Sequence, residues 1–262
     1  MHKISLCGAT KYLNCEYPLT VVFIDSRYWK VFDNWYNYSI NYLKENLLVV
    51  SLDKDVNKLL HEKNIASLLF EWDGDLSNLW IERVNVFKQL LELGYDVIHS
   101  DADAVWLDDP ITYCESLGVD VAFSQGTIWP PKVYDKLGVV LCCGFFYLRS
   151  SPQTIELLES WQSAIQVDCD DQKSLNELLM DKGLAWPVKE DYVLNWKGNS
   201  FRCFNEVQYA ILSNDLELAL LPHSLFQRLP EAKAAIVKHP MSEKTGASIE
   251  ETLIINNCWS AL

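Results

Sequence analysis

Short apolar runs that stop on aspartate constrain this chain more than any other feature. Thr20–Ile24 (TVVFI) stops at Asp25, Leu47–Leu52 (LLVVSL) at Asp53, and Tyr95–Ser100 (YDVIHS) at Asp101-Ala102-Asp103. Runs of this length, rich in Val, Ile and Leu, suit strands buried on both faces. Between them, apolar residues recur at helical spacing. Val31, Phe32, Trp35, Tyr36, Ile40 and Leu43 form one stripe from about Trp29 to Leu43, and a short helix spans Val56–Leu60. Ala66–Phe70 predicts a third strand. Trp80, Val84, Phe87, Leu90 and Leu91 then mark a long helix that Ser77 would cap and Gly94 would end. A β-α-β-α order of this kind predicts an α/β fold, with a mostly parallel central sheet flanked by helices in the Rossmann-like manner. Ligands of such open sheets bind outside the carboxyl ends of the strands, where these aspartates fall.

The second half is more mixed. Val121–Phe123 and Val139–Leu148 read as strands, the latter interrupted by Gly144. Ser151-Pro152 opens a helix to about Ile165, another runs from about Asp171 to Met180, and short strands follow at Leu216–Leu221 and Ala234–Lys238, the last ending at His239. Nothing in the 262 residues resembles a linker or a repeat. The expectation is one domain over 1–262, with a nucleotide-binding half at about 18–110 and an acceptor and catalytic half at about 111–262.

Charge narrows the partners. Thirty-six acidic side chains against 22 basic ones leave a net charge of −14. Binding a polyanion takes clustered Lys and Arg, which this chain lacks, so nucleic acid is not an expected partner. A nucleotide remains compatible if a divalent cation neutralises its phosphates. No leader-like or spanning apolar run is present, so the expectation is a cytoplasmic protein without a transmembrane segment. The eight cysteines form no CxxC pair and no zinc spacing, and read as reduced.

Four Asp-x-Asp pairs occur: Asp53/Asp55, Asp73/Asp75, Asp101/Asp103 and Asp168/Asp170. Such a pair is a weak motif alone. Asp101/Asp103 differs in context, since it follows an apolar strand and precedes Ala104-Val105-Trp106-Leu107. Carboxylates pressed between apolar segments carry a desolvation cost unless paired or metal-bound. Mn²⁺ or Mg²⁺, as hard cations with oxygen ligands, suit the pair and leave positions for diphosphate oxygens. The same Asp101-Ala102-Asp103-Ala104-Val105 also fits the nucleophile motif of haloacid-dehalogenase-type phosphohydrolases, although that motif normally opens its domain.

Several blocks together resemble the nucleotide-diphospho-sugar transferase family, which includes plant cell-wall xylosyl-, arabinosyl- and galactosyltransferases. They are Leu79-Trp80 with Arg83; Leu90 to Val97; Ser100 to Pro110; Gly144-Phe145-Phe146-Tyr147-Leu148-Arg149-Ser150; Trp161; and Asp170-Asp171-Gln172 with Asn176. Asn34-Trp35 and Val49 to Asp53 resemble its early strands. The resemblance implies a GT-A-like fold, a Mn²⁺- or Mg²⁺-dependent transfer of sugar from a nucleotide donor, UDP by analogy, to a glycan or other hydroxyl acceptor, and retention of anomeric configuration. It implies metal ligation by Asp101, Asp103 and His239. Asp25, Asp53, Arg83, Gly144 and Lys244 become donor-binding candidates, and Asp171 and Gln172 the candidates beside the anomeric carbon. Two departures stand out: Cys142-Cys143-Gly144 replaces the family's Asn-Thr-Gly, and Lys244 and Gly246 are displaced from its late His-x-x-Gly-x-x-Lys pattern. The first departure leaves open a protein that binds sugar nucleotides without turnover.

Overall fold

The computed structural model describes residues 16–187, 191–231, 234–242 and 245–260. The first half lays down β1 (Leu19–Ile24), α1 (Trp29–Ser39), β2 (Leu47–Ser51), α2 (Lys54–Glu62), β3 (Ser67–Leu69), α3 (Leu76–Glu92), β4 (Val97–Ser100), β5 (Val105–Trp106) and α4 (Pro110–Ser116). The second adds β6 (Val121–Gln125), α5 (Pro131–Leu137), β7 (Leu141–Leu148), α6 (Pro152–Asp168), α7 (Asp171–Asp181), β8 (Asp191–Trp196), β9 (Asn199–Phe204), β10 (Gln208–Ile211), β11 (Glu217–Leu220), β12 (Phe226–Gln227), β13 (Val237–Lys238) and α8 (Gly246–Ile255).

Eight strands form the central sheet in the order β3-β2-β1-β4-β7-β6-β11-β10. β1 pairs parallel with β2 and β4, and β2 with β3. β7 runs antiparallel between β4 and β6, β11 is parallel to β6, and β10 is antiparallel to β11. All but β7 and β10 therefore point the same way. This is the helix-flanked, mostly parallel α/β sheet expected.

Side chains alternate across each strand, so the apolar runs feed two cores. Val21, Leu48, Val50, Val97, Phe146 and Leu148 pack with α3, α6 and α7 on one face. Val22, Ile24, Leu47, Val49, Ile98 and Phe145 pack with α1, α2, α4 and α8 on the other. Each face buries aliphatic and aromatic surface at about 25 cal/mol per Å², which explains runs that are apolar throughout rather than alternating.

Several expectations shift. β7 passes through Gly144 unbroken, held against β4 from Phe145 onward while its register against β6 shifts between Phe123 and Gln125. Asp75, not Ser77, caps α3, its carboxylate accepting from Ser77 N. α1 stops at Ser39, short of Leu43. Gly94 does end α3, at φ +87°, where other residues are strained. Among the described residues, no helix is long and apolar enough to cross a membrane.

Candidate metal centre

Behind β4 the chain turns sharply, with Ala104 N donating to Asp101 O at 3.0 Å. Two buried indoles brace this turn. Trp35 Nε1 and Trp106 Nε1 each donate to Ser100 Oγ at 3.2 Å, and Trp35 Nε1 also donates to Ala104 O at 3.0 Å. A buried indole N–H needs an acceptor, and here that need fixes the loop carrying Asp101 and Asp103.

Register then brings in a third side chain. β5 pairs antiparallel with β13, with Val105 opposite Lys238, so His239 emerges beside Asp103. His239 Nε2 lies 3.1 Å from Asp103 Oδ1 and 3.7 Å from Asp101 Oδ2, and one ligand atom of each residue fits within 4.8 Å of the others. From the other side, Asp101 N donates to Gly144 O at 2.7 Å. A Cβ on Gly144 would stand 2.6 Å from Asp101 Oδ2 and closer still to His239 Cε1. Gly144 thus keeps open the space that both side chains occupy.

These residues fit a hard divalent cation. Asp103 and His239 are only 5% and 3% exposed, and His239 Nε2 is buried without a hydrogen bond. Two carboxylates this close repel one another at low dielectric unless a cation lies between them. Two carboxylate oxygens and an imidazole nitrogen suit Mn²⁺ or Mg²⁺ and leave coordination positions over. The His239 pKa reflects the balance: burial and Arg228 pull it down, but Asp103 and Cys142 outweigh them and raise it. Burial pushes the Cys142 thiol up, whereas Arg228 and His239 draw it down, to about 6.

Arg83 adjoins this cluster, 4% exposed. Its guanidinium pairs with Asp171, lies 3.8 Å from Asp101 Oδ1 and 3.2 Å from His99 Nε2, and stacks over Trp80 at 4.7 Å. His99 Nδ1 sits 3.0 Å from Val21 O, to which it donates, so Nε2 accepts from Arg83. Burial, aided by Arg83 and opposed by Asp101, lowers the His99 pKa, in keeping with a neutral ring.

Asp171 and Gln172 stand on the first turn of α7. Asn176 pins that helix to β7, accepting from Leu141 N at 2.7 Å and donating to Leu141 O at 2.9 Å. Asp171 is ion-paired with Arg83 through one oxygen and accepts from Gln172 N, at 2.8 Å, through the other. Gln172 Oε1 accepts from Cys143 N at 3.3 Å and its Nε2 donates to Trp129 O at 2.8 Å.

The other Asp-x-Asp pairs are helix punctuation. Asp53 caps α2, Asp75 caps α3 while Asp73 accepts from Asp75 N, and Asp170 caps α7 while Asp168 pairs with Lys173. Asp25 and Asp53 do sit at the carboxyl ends of β1 and β2. Asp25 caps the turn at Ser26–Tyr28 and binds Arg27, and Asp53 Oδ2 accepts from Ser26 N at 2.7 Å. They order that loop rather than joining the ligand cluster. Lys244 lies outside the described residues.

Sequence inspection missed two groups at this centre, His99 and Arg228, and met Cys142 only as a departure from the family pattern. His99 carried a signal, a histidine inside an apolar strand and in phase with Asp101. Arg228 carried none, because β12 and β13 fold it in from more than a hundred residues away.

The family model described as nucleotide-diphospho-sugar transferase matches residues 43–247. The Arabidopsis thaliana protein arabinosyltransferase XEG113 is 24% identical over 155 residues, covering 51% of this chain and 24% of that protein. The UDP-D-xylose:L-fucose alpha-1,3-D-xylosyltransferase 3 of the same plant is 32% identical over 100 residues, covering 34% of this chain and 25% of that protein. The chain thus spans about a quarter of the length of these curated relatives. The crystal structure of the glycosyltransferase GlyE from Streptococcus pneumoniae TIGR4 aligns over 94% of this chain and 65% of that one, at 10% identity and a TM-score of 0.49.

Proposed function

This chain belongs to the nucleotide-diphospho-sugar transferase family, and we propose that it transfers a sugar from a UDP-sugar to a hydroxyl acceptor with a divalent cation held by Asp101, Asp103 and His239. Membership in that family sets aside the phosphohydrolase alternative. The observation that carries the proposal is the convergence of those three side chains at the carboxyl end of β4, the edge at which open α/β sheets bind ligands. UDP is supported by the donor in the name of the xylosyltransferase relative. Mn²⁺ or Mg²⁺ bound there would supply positive charge against the diphosphate leaving group.

The chain's own groups do the rest. Arg83 brings a second, fixed positive charge to the same edge, beside Asp101. Asp171 is paired with Arg83 and bonded to its own helix, which favours a positioning role over covalent attack. Gln172, on the first turn of α7, is the amide we place beside the anomeric carbon, compatible with retention by front-face transfer. The loop ordered by Asp25 and Asp53 would border the nucleotide.

A screen of UDP-sugars with and without Mn²⁺, following UDP release, tests this. The expected result is release from at least one donor, dependent on Mn²⁺ and stimulated by simple glycosides. UDP binding with no release from any donor would favour a sugar-nucleotide binder without turnover, and neither binding nor release would overturn the proposal.

A further inference from the structure

The back of the His239 ring faces a sulfur. Its Nδ1 lies 3.8 Å from Cys142 Sγ, a length that the large radius of sulfur allows. The same Sγ is held from the other side, accepting from Gly144 N at 3.4 Å. The His239 backbone is fixed as well: its N–H donates to Gln227 O at 2.8 Å, and Arg228 Nη1 donates to its carbonyl at 2.9 Å. Cys142 and Gly144 sit two apart on β7 and so share a face of the sheet. One brings its sulfur to Nδ1, and the other gives up a side chain that would collide with the ring at Cε1.

We infer that Cys142 is the positioning residue of the metal centre: its sulfur accepts the Nδ1–H of His239 and leaves Nε2 as the nitrogen turned toward Asp101 and Asp103. Which imidazole nitrogen can bind a metal is set by the hydrogen bond that the other makes. A carboxylate or carbonyl commonly makes that bond; here a buried cysteine sulfur does. The Cys-Cys-Gly departure from the family pattern thereby acquires a task. The inference rests on the metal centre proposed above, and goes beyond it in naming what orients its histidine.

The test is calorimetric titration of Mn²⁺ alone into the full chain, for the native protein, Cys142→Val and Cys142→Ser, with thermal unfolding of each in EDTA. Removing such a partner weakens metal binding on the order of 10–100-fold, the effect expected of Cys142→Val, whereas the hydroxyl of Cys142→Ser, on a shorter bond that must close toward Nδ1, retains an acceptor and part of the affinity. If Cys142→Val does not fold in EDTA, Cys142→Ala makes the same comparison. Native-like Mn²⁺ affinity in the apolar variant, or equal losses in the apolar and serine variants, would overturn the inference while leaving the metal centre standing. Absence of Mn²⁺ binding by the native protein would remove both.

Discussion

Gly144 and His239 lie so close that no methyl group fits between them: a Cβ on Gly144 would also stand 2.6 Å from Asp101 Oδ2. A glycine in the middle of a buried strand is otherwise a cost. Gly144→Ala is therefore expected to push His239 and Asp101 apart, weakening Mn²⁺ binding on the order of 10–100-fold. Overpacking should lower stability in EDTA by about 1–3 kcal/mol. Calorimetry and urea unfolding measure the two effects separately, and unchanged Mn²⁺ affinity would show that the ligands do not need that space.

Asp103 is the more buried acid of the pair, close against His239. Asp103→Ala should cut Mn²⁺-dependent UDP release by about 100-fold or more, corresponding to roughly 2.7 kcal/mol of transition-state stabilisation, while melting in EDTA stays close to native. Rates of UDP release at saturating donor decide this.

The Arg83–Asp171 pair is buried on both sides. Arg83→Met leaves Asp171 without its cation, and breaking a buried pair typically costs about 3–5 kcal/mol. A fall in melting temperature on the order of 10 °C follows for a chain of this size. The double variant Arg83→Met, Asp171→Leu should recover part of the loss, because no lone charge remains. A double variant less stable than the single one would contradict the assignment.

His223 gives a pH dependence of its own. Its Nδ1 lies 2.5 Å from Glu231 Oε1, Tyr192 OH bonds the same carboxylate, and Nε2 accepts from Arg228 N and Leu229 N, each at 3.2 Å. Those two acceptor bonds require an unprotonated Nε2. Burial, with Arg228 contributing, lowers the His223 pKa despite Glu231. The unfolded chain, with an ordinary histidine pKa of about 6.5, then binds the proton more readily than the folded one. This stability is intact above that value and is lost as pH falls below it toward the folded pKa. Melting curves from pH 8 to pH 5 should fall more steeply for the native protein than for His223→Gln. Parallel curves would contradict a neutral His223.

How much of this could be read from the sequence follows from what each element depends on. β1, β2, β4 and α3 were visible because each has its own apolar pattern, with a stop such as Gly94. The β8–β9 hairpin was not: Tyr192, Leu194 and Trp196 do alternate with more exposed neighbours, but the exposed Val193 between them blurs that period. α4, α5 and α8 are short and lean on tertiary contacts. Among four similar aspartate pairs, the context of Asp101/Asp103 singled out the one that meets His239, since capping needs only a local turn whereas ligation needs a strand edge. His239 itself came from family resemblance, for only the register of β5 against β13 brings it to Asp103. Asp171 looked like a group beside the reacting carbon, but its tie to Arg83 was invisible without the fold.

The central claim is that Asp101, Asp103 and His239 hold a cation through which the chain binds a nucleoside diphosphate. Calorimetric titration of UDP into the native protein and into His239→Ala, with Mn²⁺ and again with EDTA, addresses it most directly. UDP should bind the native protein only when Mn²⁺ is present, and His239→Ala only weakly or not at all. Equal UDP affinity in EDTA, or full Mn²⁺-dependent affinity without His239, would contradict it.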